Sequence, residues 1–189
     1  MRPAAARRSP LRALRRLSTF RTVVCVVYRH ARPAEGAAEA DIRPVTPDNV
    51  DDSRSMEPPE RLEEFRSFLA RGDRGWYAYL DGRVVHRSWL VPGPAIMRLW
   101  SRYGAWPVSA GEAYVHYCET APAARGRGLY PAVLDHIARE VASLRALYIA
   151  CESENLASRR GIEKAGFAEI AHVTVRVLFG FGLQSVRRV

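Results

Sequence analysis

The sequence is poor in three features that would each have pointed somewhere definite. It holds three cysteines in 189 residues, Cys25, Cys118 and Cys151. They are odd in number, far apart, and set in apolar or strand-like runs, which argues against a disulfide framework and fits the reduced thiols of a cytoplasmic protein. No apolar run approaches the roughly 18–20 residues that a membrane-spanning helix needs. TVVCVVY, at residues 22–28, is only of strand length, so no membrane partner is expected. Lysine is nearly missing: Lys164 stands alone, and arginine supplies the other basic side chains. A bias this uniform reflects genome composition as readily as phosphate recognition, so single surface arginines carry little weight.

Acidic residues are absent from the first 20 positions, where six arginines fall. Much of the formal charge of +9 therefore belongs to a tail. Residues 1–20 read as a disordered basic extension, with a transit peptide as the alternative. Residues 21–189 read as one domain, nearer neutrality, and long enough for a hydrophobic core. The net charge suits an anionic partner such as a coenzyme, a nucleic acid or a lipid surface, but it informs about association and not about fold.

What is present alternates between strand and helix patterns. Residues 22–28 form a β-branched run, closed by the linker ARPAEGAAEAD. IRPVTPDNVDD offers turn chemistry, and Leu62, Phe65, Phe68 and Leu69 recur at helical spacing between prolines and a glycine. Asp81-Gly82 lies between two alternating apolar runs, which predicts a hairpin. Residues 91–112 carry prolines and aromatics without a period and read as an irregular excursion over a site. A strand at 113–120 then leads through APAARGRGLY to a helix at about 129–144, a short strand at 146–151 and a second helix ending at Gly166. One or two strands close the chain. This order predicts an α+β fold, a mixed sheet with helices packed on it.

The turn carries the chemistry. Gly126 and Gly128 let main chain approach a ligand closely, and the helix that follows presents unpaired amides and a positive dipole end. An anion fits there. Arg125 and Arg127 add charge, and Pro131 is tolerated in a first turn. A triphosphate-binding loop is excluded, because Gly128-Leu129-Tyr130 stands where Gly-Lys-Ser/Thr would be needed. A dinucleotide fingerprint lacks its third glycine, since Pro131 occupies that position.

Arg125, Gly128 and Tyr130 resemble the coenzyme A loop of the GNAT acyltransferases, Arg/Gln-x-x-Gly-x-Gly/Ala, with Tyr130 departing from the small final residue. Downstream, Asn155, Lys164, Gly166 and Phe167 are similar to the family's later signature, at the expected spacing. The resemblance implies a mostly antiparallel mixed sheet with flanking helices. It further implies that strands 113–120 and 146–151 part to admit the pantetheine arm, with an amine acceptor entering from the opposite side. It implies acetyl-CoA or another acyl-CoA as co-substrate, no metal, and direct transfer to a small amine, an amino sugar or a peptide amine. A homodimer is allowed for. Thr120, Arg125, Gly126, Arg127, Gly128, Leu129, Tyr130 and Asn155 are the candidate coenzyme contacts.

For the general base, Glu119 comes first and His116 second; strand alternation puts them on opposite faces, so at most one faces the reaction centre. The proton donor is less plain. Relatives carry a tyrosine where this chain has Ile162, and Ser158 or a water is left to protonate the thiolate. Cys118 and Cys151 read as packing residues. Trp89, Trp100, Tyr103 and Trp106 offer either an acceptor wall or core filling. Two other readings stay open: a coenzyme-binding module without chemistry, favoured by Ile162, and nucleic-acid binding through the basic tail, for which the domain shows no recognition motif.

Overall fold

The computed structural model describes residues 20–34, 40–100, 102–179 and 181–189. The basic tail up to residue 19 and much of the linker after the first strand lie outside the described residues.

Asp81 and Gly82 both adopt positive φ, 51° and 72°, as a two-residue hairpin turn with matching twist requires. They join β3 (Arg74–Leu80) to β4 (Arg83–Pro92), with Leu80 opposite Arg83. This hairpin lies within an eight-stranded sheet. In chain order its other strands are β1 (Arg21–His30), β2 (Asp41–Pro44), β7 (Glu112–Thr120), β8 (Ala146–Glu152), β9 (Phe167–Leu178) and β10 (Phe181–Arg188). Across the sheet the order is β10-β9-β1-β8-β7-β4-β3-β2, antiparallel throughout except for the β7–β8 pair. That parallel pair is joined by α2 (Leu129–Glu140), as a crossover requires. α1 (Pro59–Ala70) precedes β3, and α3 (Leu156–Lys164) joins β8 to β9.

The sheet separates two apolar layers. On one face α2 and α3 bury Val133, Leu134, Ile137 and Ile162 against Val26, Tyr28, Leu90, Val115 and Ile149. The other face is covered in two places. α1 sets Phe65 and Phe68 on Trp89 and Tyr77, while the far end carries Trp106, Val108 and Leu99 over Cys25, Val27 and Tyr114. β1 lies between β8 and β9, antiparallel to both, and its Cys25 to Tyr28 are buried on both faces, in keeping with an unbroken apolar run.

Three segments differ from their sequence patterns. The excursion at 91–112 is not wholly irregular: β5 (Ala95–Arg98) and β6 (Ala105–Val108) pair as a separate two-stranded sheet. Their shortness and Pro107 hide the alternation. The turn-rich stretch after residue 40 contains the edge strand β2 and a 3₁₀ segment, Val50–Ser55. α2 ends at Glu140, four residues short of the apolar stripe that predicts it.

Gly166 ends α3 at φ 85°, and a Cβ there would lie 1.9 Å from the Arg32 carbonyl oxygen. Its own carbonyl accepts from the amides of Ala31 and Arg32, fastening the end of β1. Gly72 has φ 91° with open space around it. Gly166→Ala should therefore cost well over 2 kcal/mol, through strain plus a backbone collision, and Gly72→Ala only about 1 kcal/mol. Urea denaturation of both variants checks the contrast.

Candidate active site

β7 and β8 pair from Glu112/Ala146 only as far as Val115/Ile149. Beyond that point β7 carries a bulge. Opposite β4, Trp89 faces His116 and Arg87 faces Glu119, so the β7 stretch between these pairs is one residue longer than its counterpart. Tyr117 takes φ 51° to make room. A bulge bends and twists its strand, and here the two strands part. The gap is lined by Val115 to Cys118 on one side, Ile149 to Glu152 on the other, and Tyr130, Asn155 and Ser158.

The bulge changes which face the candidate bases occupy. Simple alternation separates His116 from Glu119, but the extra residue shifts the phase and puts both on the α1 side. His116 lies tilted beside Phe68 and edge-on to Tyr117, its Nε2 3.4 Å from Asp73 Oδ2. Glu119 pairs with Arg87 at 2.8 Å. Its side chain turns to Arg87 on the α1 side while the residue stands at the edge of the cleft described next, and it does not line the gap itself.

That cleft, about 650 Å³, opens on the α2/α3 side. Its rim is the glycine-arginine turn, where Gly126 and Gly128 hold φ 80° and 74°. The amides from Gly126 to Tyr130 have no acceptor among the described residues. Five consecutive N–H groups at a helix start form a cradle for an anion. Thr120, Arg125, Gly126, Gly128, Leu129, Tyr130 and Asn155 all line the cleft. Arg125 Nε donates to the Thr120 carbonyl at 3.2 Å. Arg127 is exposed and is not part of the lining. Asn155 caps α3, accepting from the Ser158 amide at 3.1 Å. Sequence reasoning missed His86, Ala157, Gly161 and Lys164, which also line the cleft; of these, only Lys164 belonged to a recognised motif.

Residues 41–167 match the model of the Acetyltransferase (GNAT) family. The chain belongs to the GNAT acetyltransferase family. Solved structures agree on the fold. A GNAT-family acetyltransferase from Colwellia psychrerythraea superposes with a TM-score of 0.59 at 18% identity, covering 84% of this chain and 56% of its own. Another GNAT-family acetyltransferase, from Novosphingobium aromaticivorans, gives 0.58 at 19% identity, covering 82% and 63%. This chain thus spans less than two thirds of the length of either. The aminoglycoside N-acetyltransferase AAC(6')-Iy, solved with CoA, gives 0.52 at 17% identity, covering 68% and 92%. No curated protein matches the sequence.

In this GNAT chain the Tyr130 ring crosses from the cleft into the gap, lining both. Its hydroxyl lies 3.3 Å from Ser158 Oγ, and burial raises its pKa well above the usual tyrosine value. Burial likewise pushes the Cys118 thiol up to about 11, so the sulfur stays protonated and is no nucleophile at neutral pH. Ile162 is fully buried in the core. Of the four aromatics near the excursion, Trp89 and Trp106 fill the core. Tyr103 packs on Gly182, and Trp100 borders open space on the α1 side of the gap.

His86 supports the cleft from below. Fully buried, it joins Thr120 Oγ1 at 2.7 Å to Ser88 Oγ at 2.9 Å. Burial, with the adjacent Arg87 charge, pushes its pKa down to about 3. The folded protein keeps this ring neutral while the unfolded chain takes up a proton below about pH 6.5. Its contribution is complete above that pH and erodes toward about pH 3. Between pH 6.5 and 5 it should cost about 2 kcal/mol of stability. His86→Gln should lose that much less than the parent over the same interval, measured by urea denaturation at both pH values.

Proposed function

We propose that residues 21–189 form one acyl-coenzyme-A-dependent N-acyltransferase domain, moving an acetyl group from the thioester to a primary amine by direct attack. The observation that carries this reading is the row of unpaired amides from Gly126 to Tyr130 beside a parted pair of strands. Those amides and Arg125 would hold the pyrophosphate. The gap would take the pantetheine arm from the α2/α3 side and the amine from the α1 side. The unpaired edge of β7, toward Glu119 and Thr120, would polarise the carbonyl. Membership of the GNAT family supports the reaction class, and the CoA-bound neighbour supports the co-substrate.

Departure of the thiolate falls in this reading to Tyr130 and Ser158 together. Tyr130 holds its proton more tightly than a thiol does, so it contributes a hydrogen bond to the developing charge while solvent delivers the proton. Glu119, already paired with Arg87, stays at the cleft as a local anchor, and His116 beside Asp73 borders the gap. A second reading, a coenzyme-binding module without turnover, is favoured by Ile162 alone, because an aliphatic residue stands at the family's tyrosine position.

Gly128→Glu should weaken acetyl-CoA binding about a hundredfold by calorimetry while circular dichroism stays unchanged, since it puts a carboxylate and a strained residue on the cradle. Unaltered affinity would remove the loop assignment. Tyr130→Phe should bind acetyl-CoA within about twofold of the parent and release thiol about 10²-fold more slowly at saturation. Parent protein that binds the coenzyme but releases no thiol with any amine would establish the silent module.

A further inference from the structure

The α1 side of the gap is not open surface. Between α1 and the β5–β6 hairpin lies a pocket of about 730 Å³. It shares Val115, His116, Tyr117, Ala150, Cys151 and Glu152 with the strand gap, so it leads to where the thioester would stand. Its walls are mainly apolar, from Phe68, Val91, Ile96, Met97, Leu99 and Trp100.

Four charged side chains border it, and three are engaged. Glu64 pairs with Arg61 at 2.5 Å and accepts from the Tyr117 hydroxyl. Arg71 grips Asp73 at 2.6 Å. Arg98 donates to the Arg102 carbonyl at 3.0 Å. The Glu152 carboxylate has neither ion pair nor side-chain hydrogen bond among the described residues. It stands at the last position of β8, beyond the end of the β7 pairing, and it borders both the pocket and the gap.

Resting on the acyltransferase reading, we propose that this pocket seats a primary amine carried on an apolar body, and that Glu152 is the base that receives its proton. The nitrogen lone pair forms the bond to the acyl carbon, and the carbon–sulfur bond breaks with its electron pair leaving on sulfur. The proton shed by nitrogen passes to Glu152, which is exposed and returns it to solvent. As the nitrogen bonds to carbon it becomes far more acidic than a free ammonium, so a carboxylate suffices. Polyhydroxylated or polycationic amines fit poorly: their hydroxyls and additional ammonium groups would be buried against apolar walls without partners.

The test uses the full chain with acetyl-CoA and follows thiol release from 2-phenylethylamine and hexylamine against spermidine and neamine. The apolar amines should show kcat/KM about 100-fold above the other two. Trp100→Ala should raise KM for 2-phenylethylamine about tenfold with little change in kcat. Glu152→Gln should lower kcat about 100-fold and leave acetyl-CoA affinity by calorimetry unchanged. A preference for neamine or spermidine overturns the proposal, as does an unchanged kcat in Glu152→Gln or a loss of about 100-fold in Glu119→Gln or His116→Asn instead. Release with none of the four amines overturns it as well, and calorimetric binding of acetyl-CoA then decides separately whether the coenzyme reading survives.

Discussion

One buried guanidinium fixes the geometry on which the site depends. Arg87 is 4% exposed and donates to Glu57, to the Tyr117 carbonyl and to Glu119, with its charge over the Phe65 and Tyr117 rings. It thereby ties the start of α1 to the bulge of β7 at the residue that holds positive φ. A charge placed so deep is tolerated only because its donors are met; taking away one partner of such a pair costs about 3–5 kcal/mol. The ladder with β8 ends just before this bulge, so the gap opens where Arg87 holds β7. Both the coenzyme cleft and the α1-side pocket open from that gap.

The placement of β1 complements the parting. Cys25 to Tyr28 hold β8 from its other edge, with Val26 opposite Cys151 and Cys25 opposite Glu152. β8 therefore keeps its register with β1 to its last residue although β7 has left it. The irregularity is one-sided: it lies in β7 and not in the β1–β8 pairing. The backbone that carries the terminal carboxylate of β8 is consequently fixed by β1 while the side chain remains wet.

Local chemistry made part of this legible in the residues. Asp81-Gly82, the glycines of the turn and the apolar faces of α1 and α2 each have a cause within a few positions of chain, and each folds as its pattern dictates. Long-range causes left no such trace. Nothing in TVVCVVY states that it will lie between β8 and β9. The bulge at Tyr117 is bound by Arg87, thirty residues earlier, and it reverses the face assignment that alternation gives for Glu119. Glu152 carries no local signal, because it follows an apolar run that ends at Cys151, and only the pairing register shows what lies across from it.

The two departures from the family pattern explain each other. Tyr130 replaces a small residue at the loop, which by itself would crowd the cleft. Across from it, Gly161 has no side chain, and a Cβ there would come within 2.6 Å of the Tyr130 ring. The ring thus fills space that Gly161 vacates, and its hydroxyl reaches Ser158 between α2 and α3. Ile162, meanwhile, faces the core and contributes packing. A phenol thus lines the strand gap from α2, although position 162 is aliphatic and buried.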